Sequence, residues 1–379
     1  MLRCLYLTEW YPHRYDAMPG LFVRKHAAAA VRAGADVCVL YLHRDRSVAK
    51  TEVVIQQTDG VKEIYCYYRC SYLSALLRGW QAVRQHWGIP HVCQLNVLTK
   101  NALLPLWLRL IRHVPYIVVE HWSGYLPENG AFKGNSRAHK TLARLAVRYA
   151  EAVLPVSQAL EKAMIANGLT HSNYMRIHNV VDDFFYSVSP QPQTLKRILH
   201  VSCFEDRSKN VKGLLRATRT LTRERKDFQL VLVGTGVDYN EIREYAAGLH
   251  FPENVLLWTG ELTPQQVAAE MSKADCFVLF SNYENAPVVL SESLATGLPV
   301  IATRTGGIPE MINNSNGVLV NPGDETQLTK AMSLMLDSSK QYDRQTIREN
   351  AQVYSAAIVG KKLYNVYKQS CTDFSEHTV

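Results

Sequence analysis

A chain of 379 residues, 47% hydrophobic and 20% charged, is too long for one ordinary core and too apolar for a disordered polymer, so two folded domains are expected. The formal charge of +8 is lopsided: residues 1–186 carry 22 Lys and Arg against 13 Asp and Glu, and the remainder carries 20 against 21. No stretch approaches the roughly 18 apolar residues of a membrane span, and no aromatic-interleaved basic motif points to nucleic acid.

Taken in chain order, residues 2–7 predict a buried strand, too soon interrupted by Glu9 to act as a signal peptide, which points to the cytoplasm. A helix over 21–33 stops at Gly34, and 37–42 predicts a second strand. Residues 91–96 and 116–119 read as strands on either side of a Leu-rich helix over 101–112. A helix over 136–150 and a strand over 152–156 follow; Ser157 then caps a helix over 158–167 that ends at Gly168. Residues 182–194, polar and containing Pro190 and Pro192, predict a linker.

The alternation then restarts. It gives a strand over 198–202, a helix over 212–225, a strand over 229–233 entering Gly234-Thr235-Gly236, and buried strands over 275–280 and 299–303. Such alternation predicts the α/β class, with two doubly wound parallel-sheet, Rossmann-like domains over 1–185 and 186–354 facing across a cleft. A last helix, about 355–370, is expected to return to the first domain. The eight cysteines lack zinc-site spacing: Cys66 and Cys70 are the closest pair and no partner pair follows, so reduced thiols are expected.

The most informative stretch is 280–302: strand, loop, helix, glycine stop, strand. Pro287 is suited to a first helical turn, and the N–H groups of Ala286, Val288 and Val289 then stand at a helix start able to grip a diphosphate. Glu284 lies in the loop before that helix, near a sugar on this reading. Glu292 lies in its second turn, where it can accept hydrogen bonds from ribose hydroxyls. A structural account is open as well: Ser281 and Glu284 fit a capping box, and Glu292 fits a solvated helix face.

Glu284 and Glu292 have seven residues between them, and Gly297-Leu298-Pro299-Val300 follows. With Thr305-Gly306-Gly307-Ile308-Pro309-Glu310 downstream, this resembles the retaining glycosyltransferases of the large family-four group (group 1, GT-B fold). Asn285-Ala286-Pro287 replaces the family's usual Gly-Phe-Gly, a departure the backbone amides tolerate. The resemblance implies a diphosphate-binding role for cations within 201–213, where Cys203 stands at the family arginine and Arg207, Lys209 and Lys212 remain to neutralise the leaving group. It also implies donor contacts at Gly234, at Gly260 in the loop Trp258-Thr259-Gly260-Glu261-Leu262, and at Gly20, whose glycine loop on the acceptor side allows the backbone to approach phosphate or sugar.

His121, after the strand over 116–119, matches a histidine that many members hold near the reacting sugar, to bond the donor sugar or the acceptor hydroxyl, with Glu120 to orient it; the resemblance thus implies His121 and Glu284 as the catalytic residues. His178-Asn179-Val180-Val181-Asp182 matches the segment before the hinge. The implied reaction moves a sugar from a nucleoside-diphosphate sugar to a hydroxyl of a glycan or lipid-linked acceptor, in bacterial surface polysaccharide synthesis, without a metal or other cofactor. Closure about the linker would exclude water. The basic first half points to an anionic acceptor or peripheral contact with an anionic membrane, at its inner face. A sugar-nucleotide epimerase or hydrolase of the same fold and a non-catalytic sugar-nucleotide-binding protein stay open. A nicotinamide dehydrogenase is disfavoured because Val233-Gly234-Thr235-Gly236-Val237-Asp238-Tyr239 lacks the third glycine.

Overall fold

The structure is a computed structural model that describes residues 1–191 and 193–376; Pro192 of the expected linker lies outside the described residues. The chain divides into two compact units, one of residues 1–180 with the segment from Ala356 onward, the other of Val181–Ser355.

The N-terminal unit holds β1 (Leu2–Thr8), β2 (Ala35–Arg44), β3 (Glu52–Thr58), β4 (Val61–Tyr68), β5 (Val92–Asn96), β6 (Tyr116–Glu120) and β7 (Ala152–Pro155). Their order is β3-β4-β2-β1-β5-β6-β7, parallel throughout except for β3 against β4. Every residue of β5, β6 and β7 is buried, as helices on both faces of a parallel sheet require. The β3–β4 hairpin was not expected from the sequence, because the apolar run of β3, Val53-Val54-Ile55, is short and the edge strand buries none of its residues. Its signal is the turn Asp59-Gly60, where φ is 51° and 80°, a two-residue connection that matches the twist of the paired strands. The helix Tyr72–His86, capped by the Ser71 hydroxyl, also escaped the periodicity reading. Its Gly79 lies against Leu40 and Cys66 of the sheet below, so glycine there serves close packing.

The final helix, Ala356–Glu376, lies on the helix Leu21–Arg32, and a Cβ at Gly360 would come 2.1 Å from the Ala29 carbonyl oxygen. The buried Tyr367 hydroxyl donates to Gln94 Oε1 at 2.6 Å and shares a 2.6 Å hydrogen bond with the Tyr6 hydroxyl of β1. The helix therefore completes the first unit's core.

The second unit is wholly parallel. Its strands are β8 (Lys196–Val201), β9 (Phe228–Val233), β10 (Leu256–Gly260), β11 (Cys276–Leu279), β12 (Val300–Thr303) and β13 (Gly317–Val320), in the order β10-β9-β8-β11-β12-β13. Alternate residues feed two cores: Ile198, Leu230 and Val278 on one face, Leu199, Val231 and Phe277 on the other. The expected helix over 212–225 is shorter, Val211–Leu221, because the chain turns from Thr222. The join between units falls after Val180, a few residues before the expected position, because Val181 and Phe185 are buried in the second unit's core.

Two histidines tie these cores to pH. His200 of β8 bridges the Val278 carbonyl at 3.0 Å and the Ser202 hydroxyl at 2.8 Å, and His26 lies 2.8 Å from the His178 carbonyl. Burial, against the help of those carbonyls, pushes both imidazoles down to about 4. A depressed folded pKa adds stability above the unfolded value near 6.5 that is lost as pH falls toward 4. Urea unfolding across pH 7 to 4 is expected to show stability falling by up to about 1.4 kcal/mol per pH unit for each histidine. In His200→Gln, part of that slope should disappear.

Candidate functional site

In the second sheet the strands after β8 add outward through β9 and β10, whereas those after β11 add the other way through β12 and β13. The winding reverses between β8 and β11, the position beside which open α/β sheets as a class take their ligands. Lys209 arrives there from β8 and Glu284 from β11.

The β8 loop makes two sharp turns, at Phe204 (φ 43°) and Asn210 (φ 48°), which bracket the helical turn Asp206–Lys209. Asparagine tolerates this left-handed region, and Phe204 is held in it by complete burial. The loop is then laced to its neighbour. The Asn282 N–H donates to the Ser208 carbonyl at 2.8 Å and the Asn282 side-chain amide to the Arg207 carbonyl at 3.0 Å. Lys209 Nζ lies 2.5 Å from Glu284 Oε1, which also accepts the Ser281 hydroxyl at 2.8 Å. Side-chain exposure is 18% for Lys209 and 9% for Glu284, so each charge depends on the other in place of water. Burial pulls the Lys209 ammonium down, but the facing carboxylate outweighs it and the pKa ends above its ordinary value.

A second turn, after β12, backs this loop. Thr303 and Thr305 hydroxyls donate to the Ser281 and Asn282 carbonyls at 2.7 and 3.2 Å, and the Gly307 N–H donates to the Asn285 carbonyl at 2.9 Å. At Gly306 (φ 50°) a Cβ would lie 1.6 Å from the Glu284 carbonyl oxygen, so only glycine lets the two turns meet.

The helix Val288–Ala295 begins one residue after Pro287, which is its N-cap and not part of its first turn. The leading N–H groups, Val288 and Val289 among them, have no acceptor within the helix. Asn285 and Pro287 are buried, while Ala286, Val288, Val289 and Glu292 are partly exposed, Glu292 in the second turn. The capping box suggested by Ser281 and Glu284 does not form. The helix starts beyond their reach, and the serine hydroxyl serves the glutamate directly.

The other cations are placed differently. Arg207 is exposed, its charge acting on Tyr283 of the β11 loop. Lys212 is engaged by Glu241 Oε1 at 2.5 Å, on the helix Tyr239–Gly248. The Gly234 N–H donates to the Gly260 carbonyl at 2.8 Å, joining the ends of β9 and β10. A Cβ at Gly234 would come 2.0 Å from the Ser202 carbonyl oxygen and one at Gly236 1.6 Å from that of Cys203. Glycine at 234 and 236 thus admits the protein's own backbone. Gly260 differs: its φ is 72° and the space beside it is open.

In the N-terminal unit, Gly20 (φ 66°) caps the helix Leu21–Arg32, where a Cβ would lie 2.0 Å from the Trp10 carbonyl oxygen. His121 follows β6, its ring centroid 4.2 Å from Phe22 and 5.4 Å from His26, with a side-chain hydrogen bond to Asn179. Burial first, then His26, holds its pKa well below the usual imidazole range, despite Asn179. Glu120 does not orient this imidazole, as the sequence suggested. Its carboxylate accepts the N–H groups of His121, Trp122 and Leu98, each at 2.9 Å, and the Tyr125 hydroxyl at 3.3 Å. A carboxylate so used fixes the backbone after β6.

Sequence reasoning missed Phe22 and His26, although their four-residue spacing on one helix puts them on one face. It also missed Asn282 and Thr305, which carry no local signal because their partners are distant in sequence. Among the described residues, no three His, Cys, Asp or Glu side chains gather as a metal site would require.

Two family models match the chain: a glycosyl transferase 4-like domain over residues 19–180 and glycosyl transferases group 1 over residues 183–353. Among curated relatives, N-acetyl-alpha-D-glucosaminyl L-malate synthase of Bacillus anthracis is 27% identical over 215 residues, covering 54% of this chain and 55% of that protein. The chain spans about half the length of the first curated relatives it matches. Sucrose-phosphate synthase from Thermosynechococcus elongatus superposes with a TM-score of 0.76 at 19% identity, over 97% of this chain and 99% of that one. Anabaena HepE in complex with UDP-glucose gives 0.72 at 16%, over 97% and 100%. Their common fold is GT-B, two parallel-sheet α/β domains as found here. With a family match to each of its units, the chain belongs to the group 1 glycosyltransferases.

Proposed function

We propose that this protein moves a sugar from a nucleoside-diphosphate sugar to a hydroxyl of a glycan or lipid-linked acceptor, retaining the anomeric configuration and using no metal ion. The observation that carries this reading is the meeting of Lys209, Glu284 and a helix start at the winding reversal between β8 and β11. Support for the donor class comes from the UDP and UDP-glucose held by the Anabaena neighbour.

In this reaction the bond from the anomeric carbon to the leaving phosphate oxygen breaks. The acceptor oxygen bonds that carbon from the same face, and its proton passes to the leaving phosphate oxygen. The sugar carries oxocarbenium-like charge between these events. Growing charge on the diphosphate is met by Lys209, by Arg207 and by the N–H groups of Ala286, Val288 and Val289, a fixed cationic field that needs no reorganisation. Glu292 accepts the ribose hydroxyls, and Glu284 with Asn285 contacts the sugar. Gly234 and Gly260 border the base, and Lys212 adds charge at longer range. In the basic N-terminal unit, Gly20 and the neutral His121 serve the acceptor side, where an anionic or membrane-presented acceptor is favoured electrostatically.

A panel of UDP-, GDP- and ADP-sugars scored by thermal shift tests the reading, followed by the anomeric configuration of the product and its yield in EDTA. Stabilisation by one donor and undiminished turnover in EDTA are expected; no stabilisation by any nucleoside diphosphate would overturn the assignment. Donor loss without any acceptor would mark a hydrolase instead. Lys209→Ala is expected to lower kcat/KM by about 10²–10³-fold, the scale of one lost transition-state donor. Circular dichroism of the same variant separates this effect from misfolding. Because burial depresses His121, it stays neutral from pH 6.5 upward and the rate should be flat through pH 8 with respect to this group. A kinetic limb near 6.5 that disappears in His121→Gln would contradict that role.

A further inference from the structure

Three helices of the N-terminal unit turn an unusual face outward. The crossovers from β4 to β5, β5 to β6 and β6 to β7 all step the same way along the sheet. Right-handed connections therefore set the helices Tyr72–His86, Leu103–Arg112 and Arg137–Arg148 on one side of it. The β1 to β2 crossover steps the opposite way and puts Leu21–Arg32, with Ala356–Glu376 packed on it, on the other side.

The first two helices lie edge to edge. Trp80 and Trp107 meet in a T-shaped contact at 6.4 Å, and the Tyr72 hydroxyl donates to Asn101 Oδ1 at 2.6 Å. A helix covering a sheet ordinarily shows solvent a polar face. Here the outward residues include Leu73 and Leu77 on the first helix and Leu103, Trp107, Leu110 and Ile111 on the second. Leu110 and Ile111 are 62% and 61% exposed, and the four on the second helix follow i, i+4, i+7 and i+8 spacing, a single stripe.

Charge on the three helices themselves has one sign. No Asp or Glu occurs between Glu63 and Glu120, a stretch holding Arg69, Arg78, Arg84, Lys100, Arg109 and Arg112. The third helix adds Arg137, Lys140, Arg144 and Arg148 and no acid. Arg109 is drawn to Glu151, while Arg78, Arg84, Arg112, Arg144 and Arg148 are exposed.

We propose that this face seats the protein on an anionic lipid surface, with Trp107, Leu110 and Ile111 entering the acyl boundary and the arginines meeting headgroup phosphates. A second copy of the chain fits the face poorly, since a two-fold contact would set arginines against arginines with no carboxylate among these helices to answer them. No helix among the described residues is long and apolar enough to cross a membrane, so the contact is with one leaflet.

The test is co-sedimentation of the full chain with phosphatidylglycerol–phosphatidylcholine vesicles and with phosphatidylcholine alone, at low and high salt, with Trp fluorescence recorded. Binding to the anionic vesicles, weakened by salt and accompanied by a blue shift, is expected. The double variant Leu110→Glu, Ile111→Glu should lose at least about tenfold in vesicle affinity. Because both side chains are largely solvated, its melting temperature and its shift with nucleoside diphosphate should match the parent's, which keeps this test separate from that of the donor site. Absence of wild-type binding at low salt, or equal binding by the folded variant, would overturn the proposal. So would a concentration-dependent dimer abolished by the same substitutions without vesicle binding.

Discussion

One ion pair, Lys209 with Glu284, joins the loops at the carboxyl ends of β8 and β11, which neighbour each other in space and are far apart in sequence. A partly buried pair of this kind is a constraint before it is a source of stability. Removing either partner leaves the other charge short of water, at a cost on the order of 3 kcal/mol. The pair therefore ties the shape of the β8 loop to that of the β11 loop, and the hydrogen bonds of Ser281, Asn282 and Thr305 hold both backbones to that spacing.

The architecture could be read from the chain wherever strands are buried on both faces. β1, β5, β6, β8 and β11 are short apolar runs, and their alternation with helices leaves little choice but a parallel sheet. The edge hairpin escaped because β3, with only Val53-Val54-Ile55 apolar, buries none of its residues; its record in the sequence is the Asp59-Gly60 turn. At the site, the glutamate spacing and the strand entry at Gly297-Leu298-Pro299-Val300 were visible because they lie within one helix and its flanks. The lacing between loops was not visible, since nothing local links Asn282 to Arg207. Glu120 shows the opposite error: adjacency to His121 suggested a side-chain partnership, whereas a buried carboxylate at a strand end is drawn to the nearest N–H groups.

Several glycines that resemble ligand-binding positions prove to be demanded by the protein itself. Gly20, Gly234 and Gly306 each leave room for a carbonyl oxygen of another loop, at Trp10, Ser202 and Glu284. Each is thus required by the course of the protein's own backbone. Gly260, with open space beside it, is the exception among the glycines weighed at the site.

The course of the chain has a consequence for how the protein is made. The second unit enters at Val181 and leaves at Ser355, and these ends lie side by side, the Val181 N–H donating to the Tyr354 carbonyl at 2.9 Å. Only afterward does Ala356–Glu376 supply Tyr367 to the hydrogen bonds of Tyr6 and Gln94. On the ribosome, the inserted unit can therefore mature while the earlier one still lacks part of its interior, so the half that emerges first is the half that finishes last.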